Sequence, residues 1–240
     1  MRASIKWLKD YVEFQETPEQ LATMLTMAGI PVEHIHYLGE GIRQVVTGKL
    51  VQVDPHPNAD KLVVVKADIG TEILTICTGA TNVRAGQVVP VALVGCTLPI
   101  GKEIQQAVFR GVVSSGMLCS AEELNLDTKT LPPEAREGIM ILAPDTPVGK
   151  DFKEVLGLDD VVLEFELTAN RADCFSVLGL AREVAVLTRG AMRKPILNLR
   201  EAGSEKAVNL ASVRIEDPSL CSRFVARVLQ DVKVGPSPVW

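Results

Sequence analysis

From His56 to Thr78 the chain reads HPNADKLVVVKADIGTEILTICT: a polar turn, a strand, a tight turn and a second strand. Val63, Val65, Ala67 and Ile69 fall on one face of the first strand, while Val64, Lys66 and Asp68 fall on the other. Side chains alternate across a strand, so this is the period-two pattern of a strand with one face in a core. Asn58 and Asp60, following Pro57, carry short polar side chains that hydrogen-bond nearby backbone and fix a sharp entry into the strand at Lys61. Ile69-Gly70-Thr71-Glu72 then turns the chain tightly into the next strand.

Outward from this pair, short β-rich runs continue on both sides. Val45 to Val53, Lys61 to Ile69, Glu72 to Thr78, Val88 to Val94 and Gln105 to Val113 make five expected strands, enough for a small barrel of the oligonucleotide-binding (OB) type. A second motif, RGVVSSGMLCSAEEL at Arg110 to Leu124, lies about fifty residues beyond the first. Within it Ser120-Ala121-Glu122-Glu123 reads as a capping box, so a short helix is expected there, and Gly138 to Leu142 adds a late extended piece.

The flanks have a different texture. Ile5, Leu8 and Val12 recur at helical spacing, and Thr17-Pro18-Glu19-Gln20 is a capping box with proline at the first helical position. That helix should bury Leu21, Met24, Leu25 and Ala28 and stop at Gly29, before Pro31. Val32 to Leu38 should be extended. After the loop Ala143 to Gly149, Val177, Leu180, Ala181, Val184 and Leu187 form another apolar stripe that ends near Gly190. Val213, Ile215, Phe224, Ala226 and Val228 suggest strands, and Ser237-Pro238 would begin a helix.

Composition limits the chemistry. Thirty acidic residues against 25 basic give a net charge of -5, so any grip on a polyanion must come from a local basic surface. The five cysteines, Cys77, Cys96, Cys119, Cys174 and Cys221, show no C-x-x-C pairing and read as reduced, small, buried side chains of a cytoplasmic protein. The only histidines are His34, His36 and His56; the first two share a strand face, and no Ser-His-Asp or Cys-His constellation, Walker loop or dinucleotide fingerprint appears.

HPNADKL and GMLCSAEEL, together with MRASIKWLKDYV at the start, LTMAGIPVE at Leu25 to Glu33 and LTANRADCFSVLGLAREVAVL at Leu167 to Leu187, resemble the bacterial phenylalanyl-tRNA synthetase β-subunit family in the same order. The resemblance implies an α+β chain. A five-stranded OB-fold barrel (residues 41–149) is inserted into a discontinuous helix-rich domain (1–40 and 150–200), and a further α/β domain starts at 201–240. It implies tRNA and the synthetase α subunit as partners in an α2β2 enzyme that uses ATP and magnesium to join phenylalanine to its tRNA. Catalysis then belongs to the α subunit and editing to domains beyond Trp240, so this portion is non-catalytic and without a cofactor or metal of its own.

Positions matching the RNA-facing loops of related tRNA-binding domains are His56, Asn58, Asp60, Lys61, Ser115, Met117 and Ser120. Among the barrel's cations, Lys66, Arg84 and Arg110 join this candidate set beside Lys49 and Lys102. Asn58, Asp60 and Ser120 are equally the residues that turns and caps require. Glu122 and Glu123 at the expected helix start would repel phosphate. Among Phe, Trp and Tyr the barrel segment has only Phe109, which favours folded RNA over an extended single strand. Asn170-Arg171-Ala172-Asp173 reads as architecture, with Asp173 capping the next helix and Arg171 pairing at the junction. The rival readings are a stand-alone OB-fold tRNA-binding module or RNA chaperone, and a protein-interaction scaffold without RNA binding.

Overall fold

A computed structural model describes residues 1–129, 131, 136–196, 198, 203 and 205–235. The chain opens with strand β1 (Arg2–Ser4), whose last residue caps helix α1 (Ile5–Lys9) by accepting from the Trp7 amide at 3.0 Å. Helix α2 (Pro18–Met27) starts at the expected capping box: Thr17 Oγ1 accepts from Gln20 N and the Gln20 side chain accepts from Thr17 N. It ends before Gly29, whose φ of +83° suits a residue without a Cβ. Its buried stripe is Leu21, Ala22 and Leu25, with Met24 half-buried and Ala28 exposed. The reason is that the helix ends at Met27, so Ala28 already lies in the turn towards strand β2 (Val32–Tyr37).

Next come strands β3 (Val45–Pro55), β4 (Val63–Asp68), β5 (Ile73–Thr78) and β6 (Val88–Ala92). The fifth expected strand is instead a two-stranded arm, β7 (Ala107–Phe109) and β8 (Val112–Ser114), and the barrel's fifth strand is the short β9 (Met117–Leu118). Arg110 and Gly111 explain the difference: both have positive φ, +43° and +95°, as a two-residue hairpin turn between right-twisted strands requires. The sheet order β5-β4-β3-β6-β9 is antiparallel throughout. It approaches closure where Ser115 N donates to Thr75 O at 2.8 Å and Cys77 N to Ser114 Oγ at 3.1 Å. This is a nearly closed five-stranded OB barrel within an α+β chain, as the alternating runs implied.

Two cores serve this part. Leu50, Val65, Ala67, Ile76, Val89, Val91 and Leu118 fill the barrel. Ile42, Val45, Leu98, Leu124, Met140, Leu142 and Phe152 pack in the second. Each fully buried Val, Leu, Ile, Met or Phe among them contributes about 1.5–3 kcal/mol relative to exposure. Ser120 and Glu123 do form reciprocal capping bonds, yet Ala121 to Asn125 are hydrogen-bonded turns and not a helix. Asn125 adopts φ +53° and Leu126 N returns to Ala121 O, which closes the segment after one turn.

Helix α3 (Phe152–Val155) leads to strand β10 (Val161–Phe165), a 3-10 stretch (Ala169–Phe175) made of two short turns kinked at Arg171, and helix α4 (Val177–Thr188). β10 sits between β1 and β2 in an antiparallel sheet that the helical reading of this region did not anticipate. Leu8, Leu21, Leu25, Leu163, Leu180 and Val184 share one core, so the first thirty residues and the stretch from Leu163 to Val184 pack directly on each other. Ser176, not Asp173, caps α4, accepting from Gly179 N at 3.0 Å. Arg171 does pair at the junction, with Asp173 at 3.2 Å and Glu183 at 2.8 Å.

Residues 194–237 cluster as a separate unit, in which helix α5 (Ala207–Leu210) is the regular element among the described residues. The strands expected around Val213 to Ile215 and Phe224 to Val228 are absent: an extended segment becomes a strand only by pairing, and no described segment pairs with these. Ser237-Pro238 lies outside the described residues. Cys221 is exposed, in contrast to the buried Cys96, Cys119 and Cys174. No helix among the described residues is long and apolar enough to cross a membrane.

Candidate nucleic-acid interface

The two motifs meet at one end of the barrel. The β3–β4 connection, residues 56–62, lies against the tip of the β7–β8 arm, 52 residues further on. His56 is buried at 5% exposure, and its Nε2 donates to Phe109 O at 2.9 Å while its Nδ1 accepts from the Asn58 amide at 3.1 Å. Because an amide N–H can only donate and a carbonyl can only accept, the ring here is the neutral tautomer with its proton on Nε2. Asn58 Nδ2 donates to Arg110 O at 3.0 Å, and Arg110 Nη1 returns a bond to Asn58 O at 3.2 Å. His56 N also donates to Leu62 O at 3.0 Å, which closes the loop on itself.

This clasp joins the connection between the first two barrel strands to the connection between the last two. In OB folds those loops, with the face of the second and third strands, form the surface that engages nucleic acid. The clasp also holds Arg110 in the left-handed region, which costs a non-glycine residue about 1–2 kcal/mol.

The candidate residues therefore separate by what they touch. His56 and Asn58 build the clasp. Ser115 closes the barrel through its backbone and accepts from Gln106 Nε2 at 3.2 Å. Met117 sits on β9 and packs against the second core, and Ser120 is engaged with Glu123. Asp60, Lys61, Arg84 and Arg110 are exposed. Asp60 and Lys61 share the clasped loop. Arg84 stands on the β5–β6 connection, which Gly86 ties to Leu50 on β3.

The outward face of β4 and β5 carries Val64, Lys66, Asp68, Ile73, Thr75 and Cys77. Lys66 is half-buried there and donates to Thr75 Oγ1 at 2.7 Å. Lys102 lies 3.9 Å from Glu123, so it is partly compensated, and Lys49 is paired in register with Asp68. Burial pushes the Cys119 thiol up to about 12, which makes it an apolar filler at ordinary pH. No group of three or more His, Cys, Asp and Glu among the described residues has the arrangement of a metal site.

Sequence reasoning singled out both partners of the clasp without joining them. The signal that would have paired them is the Arg110-Gly111 turn, which folds the Gln105 to Val113 run into a hairpin whose tip can reach Asn58.

With two loops locked together on a small barrel, comparison with known proteins becomes informative. A model described as a putative tRNA binding domain matches residues 45–151, the span from β3 to the start of α3. Over its whole length the chain is 53% identical to the phenylalanine–tRNA ligase β subunit of Moorella thermoacetica. It is 45% identical to that of Clostridium acetobutylicum and 46% identical to that of Syntrophotalea carbinolica, again over 100% of the chain. The chain spans 29–30% of the length of these three relatives. The span that matches the tRNA-binding model thus includes the clasp, while sequence similarity to these relatives extends beyond it through both flanks.

Proposed function

We propose that this chain is the amino-terminal portion of the β subunit of a phenylalanine–tRNA ligase, contributing tRNA binding and subunit architecture to the attachment of phenylalanine to its tRNA. The observation that carries this reading is the unbroken similarity, 53% identity over all 240 residues, to a β subunit of that enzyme. The domain division that suits it is 1–40 with 150–200 as one unit, 41–149 as the inserted barrel and 201–240 as the start of another. In the complete enzyme, a class II synthetase acting in the cytoplasm, ATP and magnesium would serve the α subunit within an α2β2 assembly, and this portion would be non-catalytic.

The barrel's work on this reading is to present Lys61, Arg110, Lys66 and Arg84 to phosphate and 2'-hydroxyl groups of a folded RNA, with His56, Asn58, Ser115, Met117 and Ser120 holding the loops and Asp60 shaping the turn. Phosphate contacts release counterions, so the chain's affinity for tRNA should fall linearly on a logarithmic salt axis. Fluorescence anisotropy with labelled tRNA at increasing salt tests this.

One observation favours the scaffold reading instead: Lys66 is the single cation among the outward residues of β4 and β5, on a chain of net charge -5. Absence of salt-sensitive tRNA binding at low ionic strength would favour the scaffold and count against the RNA role.

A further inference from the structure

The β7–β8 arm ends in an exposed aromatic ring whose backbone is fixed from behind. Phe109 is 41% exposed although it is the barrel's only residue among Phe, Trp and Tyr, so packing does not use up its ring. It pairs in register with Val112, while Val108 and Val113 form the cross-strand pair on the opposite face of the arm. Its carbonyl oxygen is taken by buried His56 and that of Arg110 by Asn58. The tip is therefore ordered before any ligand arrives, and the entropy of ordering is not lost again on binding. Two exposed cations belong to the two clasped connections, Arg110 next to Phe109 in the chain and Lys61 in the β3–β4 loop, with Asp60 as the opposing charge beside Lys61.

We infer that the Phe109–Arg110 tip is a stacking platform for a single unpaired base of a folded RNA, with Arg110 and Lys61 drawing in the adjoining phosphates. The inference rests on the tRNA reading and deepens it by naming what the arm takes. An aromatic face accepts any base, because every base offers a π-surface, but a base inside a duplex is already stacked on its neighbours. One ring accommodates one base, so the arm selects a loop, bulge or end and leaves the rest of the RNA to phosphate and shape contacts.

The test is titration of the full chain with tRNA, with a synthetic RNA hairpin bearing a single-stranded loop, and with a blunt RNA duplex of equal length. Phe109→Leu keeps an apolar side chain against Val112 but removes the stacking face, and Phe109→Tyr keeps both. The leucine variant should bind tRNA and the looped hairpin about 5- to 150-fold more weakly, the range that one stacked base represents. Its affinity for the duplex should not change, and the tyrosine variant should match the unsubstituted chain on all three. Binding by Phe109→Leu that equals the unsubstituted chain, or that drops equally on the duplex, would overturn the platform while leaving the tRNA reading standing. An unsubstituted chain that shows no salt-sensitive tRNA binding would overturn both.

Discussion

Asn58 and Arg110 hold each other in both directions: the Asn58 amide donates to the Arg110 carbonyl at 3.0 Å, and the Arg110 guanidinium donates to the Asn58 carbonyl at 3.2 Å. Fifty-two residues separate them, so this exchange couples two connections that nothing in the local sequence would bring together. Whatever the β3–β4 loop binds, it presents with the tip of the β7–β8 arm as one rigid edge.

Removing the Asn58 side chain tests that coupling. Asn58→Ala loses the bond to Arg110 O but leaves the return bond to its own backbone carbonyl, and water can reach the exposed site. The expected loss is about 0.5–1.5 kcal/mol, the net worth of one exposed hydrogen bond. Urea denaturation should show a lower midpoint with an unchanged slope.

A larger effect is expected at His56, because its two partners are bridged by a buried ring. His56→Ala leaves the Phe109 carbonyl and the Asn58 amide without their partner and opens a cavity, so the loss should be about 1–3 kcal/mol. Since Asn58 belongs to the same network, the double variant should lose less than the sum of the two single losses. A nitrogen NMR spectrum of the unsubstituted chain should place the imidazole proton on Nε2.

Glu164 governs the acid side of stability in the β1–β10–β2 sheet. Hydrogen bonds from Arg2 and His36 hold its carboxyl well below the ordinary value of 4.5, at about 2. The folded state thus prefers the carboxylate more strongly than the unfolded chain does. That contribution is fully present above the unfolded value and is lost as pH falls through the folded one. Glu164→Gln should therefore melt at a lower temperature than the parent at neutral pH, with the difference closing between about pH 4.5 and pH 2. The group is partly open to solvent, which keeps the effect modest. Melting curves across this interval, with equal temperatures at neutral pH as the adverse result, decide it.

How much of this was legible beforehand depended on the range of the interaction. Thr17 and Gln20 lie three residues apart, and the capping box they spell is the one that forms. The alternation from Val63 to Ile69 places Val65, Ala67 and Ile69 in the barrel as read. Local patterning also contained the Arg110-Gly111 turn, but an uninterrupted apolar run either side of it masked the hairpin. What could not be read was set by contacts across the chain. His56 is buried because a carbonyl 53 residues away accepts from it, and β10 is a central strand because β1 and β2 flank it. Ser120 had the right partner in Glu123 yet no helix, because the turn closes at Asn125, where positive φ interrupts helical geometry. Family resemblance pointed to these loops as the RNA-facing ones; the geometry divides their residues into those that hold the edge together and those exposed on it.

Gly179 supplies a case where local propensity and tertiary packing predict opposite signs. It is the third residue of α4, and on helix propensity alone Gly179→Ala should stabilise the chain by about 1 kcal/mol. A Cβ there would lie far inside contact distance of the Asp173 carbonyl oxygen. That carbonyl belongs to backbone that cannot easily retreat: Arg171 grips the Asp173 carboxylate at 3.2 Å, and Ser176 Oγ donates to the carbonyl itself at 3.2 Å while accepting from Gly179 N. Displacing α4 instead would disturb Leu180, Ala181 and Val184, all buried in the core shared with Leu8 and Leu21. Overpacking of this kind costs about 1–3 kcal/mol and exceeds the propensity gain when neither side can move. Gly179→Ala should therefore lower the melting temperature, and its amide should lose the protection against hydrogen exchange that the Ser176 cap provides. A variant that melts higher than the parent would mean the 3-10 stretch yields to the methyl group, and that Arg171 does not fix it in place.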